Sequence, residues 1–596
     1  MLSSIGDGFF QDDLVHRAHL LKERVVPEGY YGTPLLPTDA GTLTGAMRDT
    51  FAVTRSREDV SHLKESGLFP WWTSDDLRIS NWRPLTALTH WLDYRLFPDS
   101  PALMHAHNLL WFGAVVMVVT VLYRRMMGVV PAAALAALLY MIDESNYFPV
   151  WWVANRNLLL ALFFSILALL CHDRWRQHGR RDCGVMAPLL LLLALLSTEA
   201  GIATFAYLFA YALVIDRGTR LRRALSLVPA AVVIAGWRIV YNALGHGASG
   251  GGFVIDPGRE PLAYALAVLE RAPLLLMGQC APLPADTYWM MSEYAMGQYL
   301  VPVYAFLALV FVGVFGLLRR DRVSRFWFTG MLLCVLPVCA TVPMNRNLLF
   351  AAIGAFGLLA RCVTGMFAGD GWVPERRMYR VPLWMICIAL LFIHVPVALG
   401  GRLWSRRMFA FSGEVIYSTM ELGEAPNLSD KTVLLVNAPN PFLFIAMPHL
   451  RSYEGKSVPA LARVLVPGWR PLEVTRTGEN TLMIRSMQGS LMSVDESSRD
   501  MRPNFLYMYR TFNTLFRGPD EPFHAGQRVE LPDLAVEVLS VDDAGSPTAV
   551  QFDFSRSLDS PSLHWLQWHW KPFGLGSYSP FTIPAVGETV VIPGPF

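Results

Sequence analysis

Charge is scarce in this sequence. Of 596 residues only 16% are charged, while 53% are hydrophobic. A soluble globular chain carries about 25% charged residues, so much of this protein is expected to be solvated by lipid. A dominant charge sign is also missing. The net charge is +2, with no long Lys/Arg run, and nucleic acid is not expected as a partner. The seven cysteines fit neither a zinc framework nor a dense disulfide scaffold. Cys171, Cys183, Cys334, Cys339, Cys362 and Cys387 lie in or beside apolar segments, Cys280 falls in an outer loop, and none follows residue 402. No structural disulfide is expected. The start has no basic stretch followed by an apolar run, so no signal peptide is visible. Repeats and low-complexity tracts are absent. No Walker A loop, GxGxxG, HExxH, CxxC or nucleophile-elbow pattern sits in a supporting context.

What the chain does have is apolar runs, at 108–123, 129–142, 157–171, 184–198, 200–215, 224–243, 298–318, 326–343, 347–361 and 381–401. Several are shorter than the roughly 20 residues a bilayer core requires, so polar residues at their ends must lie at membrane depth or beside a cavity. The apolar stretch 261–282 is interrupted by Glu270 and Arg271 and reads as an interfacial or re-entrant helix. Every second connection is basic: Arg124-Arg125, 172–182, 216–223, 319–325 and 361–380. The alternate ones, 143–156, 197–200, 244–297 and 341–347, are poorer in arginine. Positive residues stay cytoplasmic. About ten spans then place both flanks outside, as in a multi-pass protein of a bacterial plasma membrane. The expected organisation is a first outer loop (1–107), a transmembrane domain (108–401) and an outer soluble domain (402–596). An outer N-terminus with no span ahead of it leads to the expectation that a first transmembrane helix is missing from this sequence.

Within the first outer loop, Leu85, Leu88, Leu92 and Leu96 recur at helical spacing in RPLTALTHWLDYRLF (83–97). The other face carries Thr86, His90, Asp93 and Arg95. This predicts an amphipathic helix on the membrane surface. The tail reads as mostly β with some helix: a strand at 431–439, and a hairpin over 528–556 turning at DAGSP. Its Trp565, Trp568 and Trp570 suit a packed core or membrane belt better than a sugar-stacking face.

Hydrocarbon excludes unpaired charge, so acids and arginines at outer span ends are informative. Four places stand out: Asp12-Asp13; Asp75, Asp76, Arg78 and Arg83; Asp143, Glu144, Asn155 and Arg156; and Glu199 with Arg346. All are assigned to one side, where they can line an outward polar cavity. Arginine grips phosphate through a planar fork of donors. A carboxylate serves as general base, or holds a divalent cation that neutralises a leaving phosphate. Such a cavity suits a phosphorylated lipid donor, its tail among the spans. Blander readings stand beside these. Asp12-Asp13 can be merely solvated, Asp75-Asp76 can cap the next helix, Arg156 and Arg346 can snorkel, and His105 and His107 can be interfacial. A transporter or lipid flippase, which would show discontinuous helices and a two-half repeat, and a non-catalytic envelope scaffold are the rival functions.

The ordered segments GFFQDD, WRPLTALTHWLDYRLFPDSPALMHAHNLLWF, WWVANRNLLLALFFSILALL, LLSTEAG and NRNLLFAAIGAFGLLA resemble the polytopic C-type glycosyltransferases. The likeness is to bacterial mannosyltransferase-like proteins and the membrane part of the TMTC O-mannosyltransferases, over about residues 5–365. The resemblance places Asp12-Asp13 at the family's acidic motif and Arg83-Pro84-Leu85 at its Arg-Pro-Leu helix. It places His105 and Asn108 at a His-x-x-Asn step, Arg156 at an Arg-x-x-Leu-Leu segment, and Ser197 with Glu199 at a Ser-x-Glu turn. It implies an α-helical polytopic fold and inverting transfer of a sugar from a polyprenyl-phosphate sugar to an outer-face acceptor. On it, Asp12 or Asp13 is the base or a metal ligand (Mg or Mn), with Asp76 the rival base. Arg83, Arg156 and Arg346 hold the donor phosphate, and Glu199 and Glu144 support. Tetratricopeptide repeats, found in TMTC proteins, are replaced by the β-rich tail, which leaves the acceptor open.

Overall fold

A computed structural model describes residues 2–22, 35–281, 283–423, 428–492, 501, 504, 506–572 and 575–595. The apolar runs fold into helices that pass back and forth through a bundle: Pro101–Met127, Val130–Ile142, Arg156–His178, Arg181–Ser197, Glu199–Ile215, Arg220–Ala243, Glu293–Arg320, Arg322–Val338, Leu349–Ala368, and a run from Arg377 through Ser418. Seven helices of the described residues are long and apolar enough to cross a membrane. This is an α-helical multi-pass membrane protein with a soluble β-rich domain.

Helix boundaries follow local chemistry. Pro101–Met127 and Arg156–His178 stop at Gly128 (φ 66°) and Gly179 (φ 65°), left-handed positions that glycine adopts without a Cβ clash. The apolar windows of Val153–His178 and Asn345–Ala368 are each 83% buried, against 17% for Glu293–Arg320. The first two are the pillars of the bundle. The third presents Val301, Leu309 and Val312 outward, as a lipid-facing helix does. The pillar Leu349–Ala368 is stitched in by buried tyrosines: Tyr123 donates to the Ile353 carbonyl (2.7 Å) and Tyr207 to that of Phe350 (2.6 Å).

Pro261–Cys280, expected as an interfacial or re-entrant helix, forms a 20-residue helix long and apolar enough to cross. Tyr264 donates to the Leu336 carbonyl (2.7 Å), Arg271 to that of Cys339 (3.1 Å), and Gly278 lies against Asn345. It also packs on Glu293–Arg320, where Tyr304 donates to the Leu269 carbonyl (2.5 Å). Pro84–Leu96 turns Thr86, His90, Asp93 and Tyr94 inward and leaves Leu92 and Leu96 exposed. An apolar face turned outward is what a lipid surface would cover.

Alternate connections gather at the two ends. At one, Thr86 donates to the Ser197 carbonyl (2.8 Å) and Trp152 to that of Phe10 (3.0 Å), while Asn345 accepts from the Ala285 amide (2.8 Å). At the other, the basic connections pair internally, Arg125 with Asp173 (2.7 Å), Arg176 with Asp216 (2.7 Å) and Arg361 with Asp321 (3.0 Å).

The segment ahead of Pro101 adds strand β1 (Ala52–Thr54), which pairs antiparallel with β2 (Arg78–Ser80), and β2 pairs antiparallel with β3 (Gly247–Ser249) from the long later loop. The helical run continues beyond 402 to Ser418 with Leu403 and Trp404 exposed, so the strand-bearing part starts later than the composition shift. That part has two sheets. One is mixed, with β4 (Thr432–Ala438) parallel to both β5 (Leu461–Pro467) and a later strand, Leu563–Trp570. The other is antiparallel and contains the hairpin Leu534–Val541/Pro547–Phe554, closed where Asp542 accepts from the Ala544 and Ser546 amides (3.0 and 2.8 Å). Trp565 and Trp568 are buried in the core. The domain clasps the segment ahead of Pro101. Trp71 donates to the Leu465 carbonyl (2.7 Å), Trp72 to Asn513 (3.0 Å), and Arg463 to the carbonyls of Lys64 (2.6 Å) and Glu65 (3.0 Å).

Candidate functional site

The helix Asp12–Leu21 begins at Gln11, whose backbone (φ 43°, ψ −106°) lies where L residues are rarely found. Past that twist the two aspartates part. Asp13 is 1% exposed. Its two oxygens accept the backbone amides of Phe10 (2.9 Å) and Ala154 (2.7 Å), tying the start of the chain to the 153–155 turn. Burial raises its pKa to about 8, against the pull of those amides. Asp12 is exposed to water, yet desolvation raises its pKa although Arg346 and Arg83 pull it down. An accessible carboxylate whose pKa desolvation raises lines a recess.

Arg346 and Arg83 form the other wall. Arg346 sits 5.6 Å over the Trp152 ring and 5.7 Å over Phe148, half-buried. It faces Asp12, Arg83 and an aspartate the sequence reading did not single out, Asp286. Arg83 pairs with Glu199 (2.9 Å; side chains 19% and 28% exposed) and lies 5.3 Å over Phe51. The recess thus holds Asp12, Arg83, Glu199, Asp286 and Arg346, all at the end opposite the basic connections. His16, one turn along from Asp12, lies 5.6 Å from His90. Burial lowers the His16 pKa to about 3, so this imidazole is neutral.

Other anticipated site residues lie elsewhere. Arg156 is fully buried in an ion pair with Asp93 (2.5 Å) and donates to Asn108 (2.6 Å). It has no accessible face to offer a phosphate and instead joins three helices. His107 completes that knot. Its Nε2 accepts from Trp111 (3.0 Å), which leaves the Nδ1 proton for Asp93 (2.7 Å). His105 is buried against the Gly8 carbonyl (3.3 Å). Asp76 pairs on the surface with Arg57 (2.8 Å) and Asp75 with Lys64; neither caps a helix or faces the recess. Glu144 sits beside Gly401 and faces Arg402. Two cavities of about 240 and 230 Å³ lie elsewhere, one against Trp71 and Arg463, the other between Ser165, Thr204 and Phe350.

No protein-family model matches this sequence, and no curated protein does. Among the solved structures similar to it are two of one protein. ArnT from Cupriavidus metallidurans in the apo state aligns at 14% identity and a TM-score of 0.32, over 66% of this chain and 79% of its own. The same protein bound to undecaprenyl phosphate aligns at 15% and 0.32, over 76% and 88%. At that level of similarity no residue role passes from one to the other.

The chemistry therefore has to come from the recess itself. It offers an accessible carboxylate between two guanidiniums, each resting on an aromatic face. A divalent cation does not fit it. Both Asp13 oxygens are taken by amides, Asp12 is flanked by arginines rather than by further ligands, and no three His, Cys, Asp or Glu side chains converge among the described residues. Asp286 escaped the sequence reading because it lies in a long loop with no arginine next to it. Its only local signal was an acid between apolar segments in PADTYWM.

Proposed function

We propose that this protein is a membrane glycosyltransferase of the polytopic C type, which transfers a sugar from a polyprenyl-phosphate sugar to an acceptor at the outer face of a bacterial plasma membrane. The observation carrying the reading is the meeting of Asp12, Arg83 and Arg346 in one accessible recess at the end of the bundle opposite the arginine-rich connections. By the positive-inside rule that end is the outer one.

Asp12 is the base on this reading. It takes the proton of an acceptor hydroxyl as the oxygen attacks the anomeric carbon. The bond from that carbon to the phosphate oxygen breaks on the opposite side, and the configuration inverts. The polyprenyl phosphate leaves with an added negative charge, which Arg83 and Arg346 stabilise as it develops. A carboxylate whose pKa is raised by desolvation is a stronger base once ionised. The transferred sugar is a hexose, mannose being what the motifs imply. The acids gather at one end rather than mid-bundle, which favours this reading over a flippase.

The test is turnover by the purified chain, given polyprenyl-phosphate hexoses and hydroxyl acceptors. Product should form, and should vanish in Asp12→Asn. Full activity in that variant removes Asp12 as the base.

A further inference from the structure

One buried side chain touches both the segment that carries Asp12 and the arginine of the opposite wall. The edge of the Trp152 indole donates from Nε1 to the Phe10 carbonyl (3.0 Å), two residues ahead of Asp12. Its face carries the Arg346 guanidinium, 5.6 Å from the ring centre. The indole is fixed in turn. Phe10 packs edge-on against it at 5.8 Å, Phe148 lies 5.2 Å away, and the Asn108 side chain donates to the Trp152 carbonyl (3.3 Å). The Phe10 carbonyl also accepts the Asp13 amide (3.0 Å), which closes a turn over Phe10–Asp13. The second residue of that turn is Gln11, at φ 43° and ψ −106°. These angles are close to the first central position of a type II′ turn, where glycine is the usual occupant. Glutamine is strained there, and such strain persists only where neighbours over-determine the backbone. Here they do. His105 Nε2 lies 3.3 Å from the Gly8 carbonyl, Tyr417 donates to that of Phe9 (2.9 Å), and Trp152 to that of Phe10. Three consecutive carbonyls are held from three separate segments, and the last bond is on the turn itself. Past the turn Asp12 is exposed and Asp13 is buried.

We propose that Trp152 is a positioning residue with two hands: its Nε1 holds the strained turn that aims Asp12, and its face supports the guanidinium of Arg346. This rests on the reading that Asp12 is the base and that Arg346 grips the donor phosphate. The two contacts use different parts of one ring, so substitution separates them. Phenylalanine keeps an aromatic face and has no donor, whereas leucine has neither. Gln11→Gly acts on the same turn from the other side. Glycine takes up the twist without a clash, but it also takes up the alternatives, so Asp12 is no longer aimed.

The test measures kcat for transfer from polyprenyl-phosphate mannose to a hydroxyl acceptor, and affinity for that lipid, on the full chain in detergent. Trp152→Phe should lower kcat about tenfold and bind the lipid as wild type does. Trp152→Leu should lower kcat as much and also weaken binding about fivefold. Gln11→Gly should lower kcat while its unfolding temperature holds or rises, a combination that a purely structural role would not give. Wild-type kcat in Gln11→Gly overturns the proposal even where Trp152→Phe does not fold, and so does wild-type kcat in Trp152→Phe. Equal loss of affinity in the phenylalanine and leucine variants overturns the division between edge and face. Asp12→Asn checks the reading beneath. If it abolishes turnover while Trp152→Phe and Gln11→Gly keep theirs, the base stands and only the role of Trp152 falls. If Asp12→Asn turns over fully, the base itself fails, and the role of Trp152 with it.

Discussion

Asp12 and Asp13 are adjacent and chemically identical, yet one faces a water-accessible recess and the other satisfies two buried amides. Their variants should separate accordingly. Asp12→Asn should lower turnover about 10²–10⁴-fold with the unfolding temperature unchanged. Asp13→Asn swaps one accepting oxygen for a donor facing a buried amide, which costs about 1–3 kcal/mol and should lower the unfolding temperature. Equal losses of activity, or of stability, in the two variants would contradict this division. The pH profile gives a second check. A base must be ionised, so the rate should climb with pH through the raised Asp12 pKa, above the ordinary carboxylate range. Arg346 pulls that pKa down, so Arg346→Gln should move the acid limb to higher pH; a limb that stays put argues for another base. The acid pair was singled out in the sequence as one of four charged groups. Which member faces the recess was not legible, because the choice is made by the twist at Gln11. Arg156 was misplaced for a similar reason. Its partner Asp93 looks, along the chain, like one more polar residue on an amphipathic helix.

At the scale of elements, most helices could be read from apolar runs. The contacts between helices could not. Pro84–Leu96, Pro101–Met127 and Arg156–His178 are pinned by the buried Arg156–Asp93 pair together with Asn108 and His107. Removing one partner leaves the other charge buried, so Arg156→Gln should destabilise by about 3–5 kcal/mol, read as a fall in unfolding temperature. A variant as stable as wild type would mean that the pair is not pinning these helices. Gly354 is a second contact invisible in the sequence. A Cβ there would stand 2.4 Å from the Trp327 carbonyl, where Leu349–Ala368 crosses Arg322–Val338. Backbone cannot yield as a side-chain tip can, so Gly354→Ala should destabilise by about 1–3 kcal/mol, whereas alanine at Gly113, with nothing near its Cβ, should not.

For the whole molecule, sidedness is the property that decides whether the recess can meet an outer acceptor. The soluble domain is bound to the first outer loop through Arg463, Trp71 and Trp72. That loop supplies Arg83 to the recess, so domain and recess share one end. The basic connections share the other, many of their arginines held by aspartates of the same end. The arginine asymmetry predicts that this second end is cytoplasmic. Asp543, in the exposed hairpin turn, and Arg217, exposed in a basic connection, mark the two ends. In intact cells a membrane-impermeant thiol reagent should label Asp543→Cys and spare Arg217→Cys until the membrane is opened, with the unaltered chain as control for the native cysteines. The reverse pattern would turn the recess to the cytoplasm, and a donor presented at the outer face could not reach Asp12.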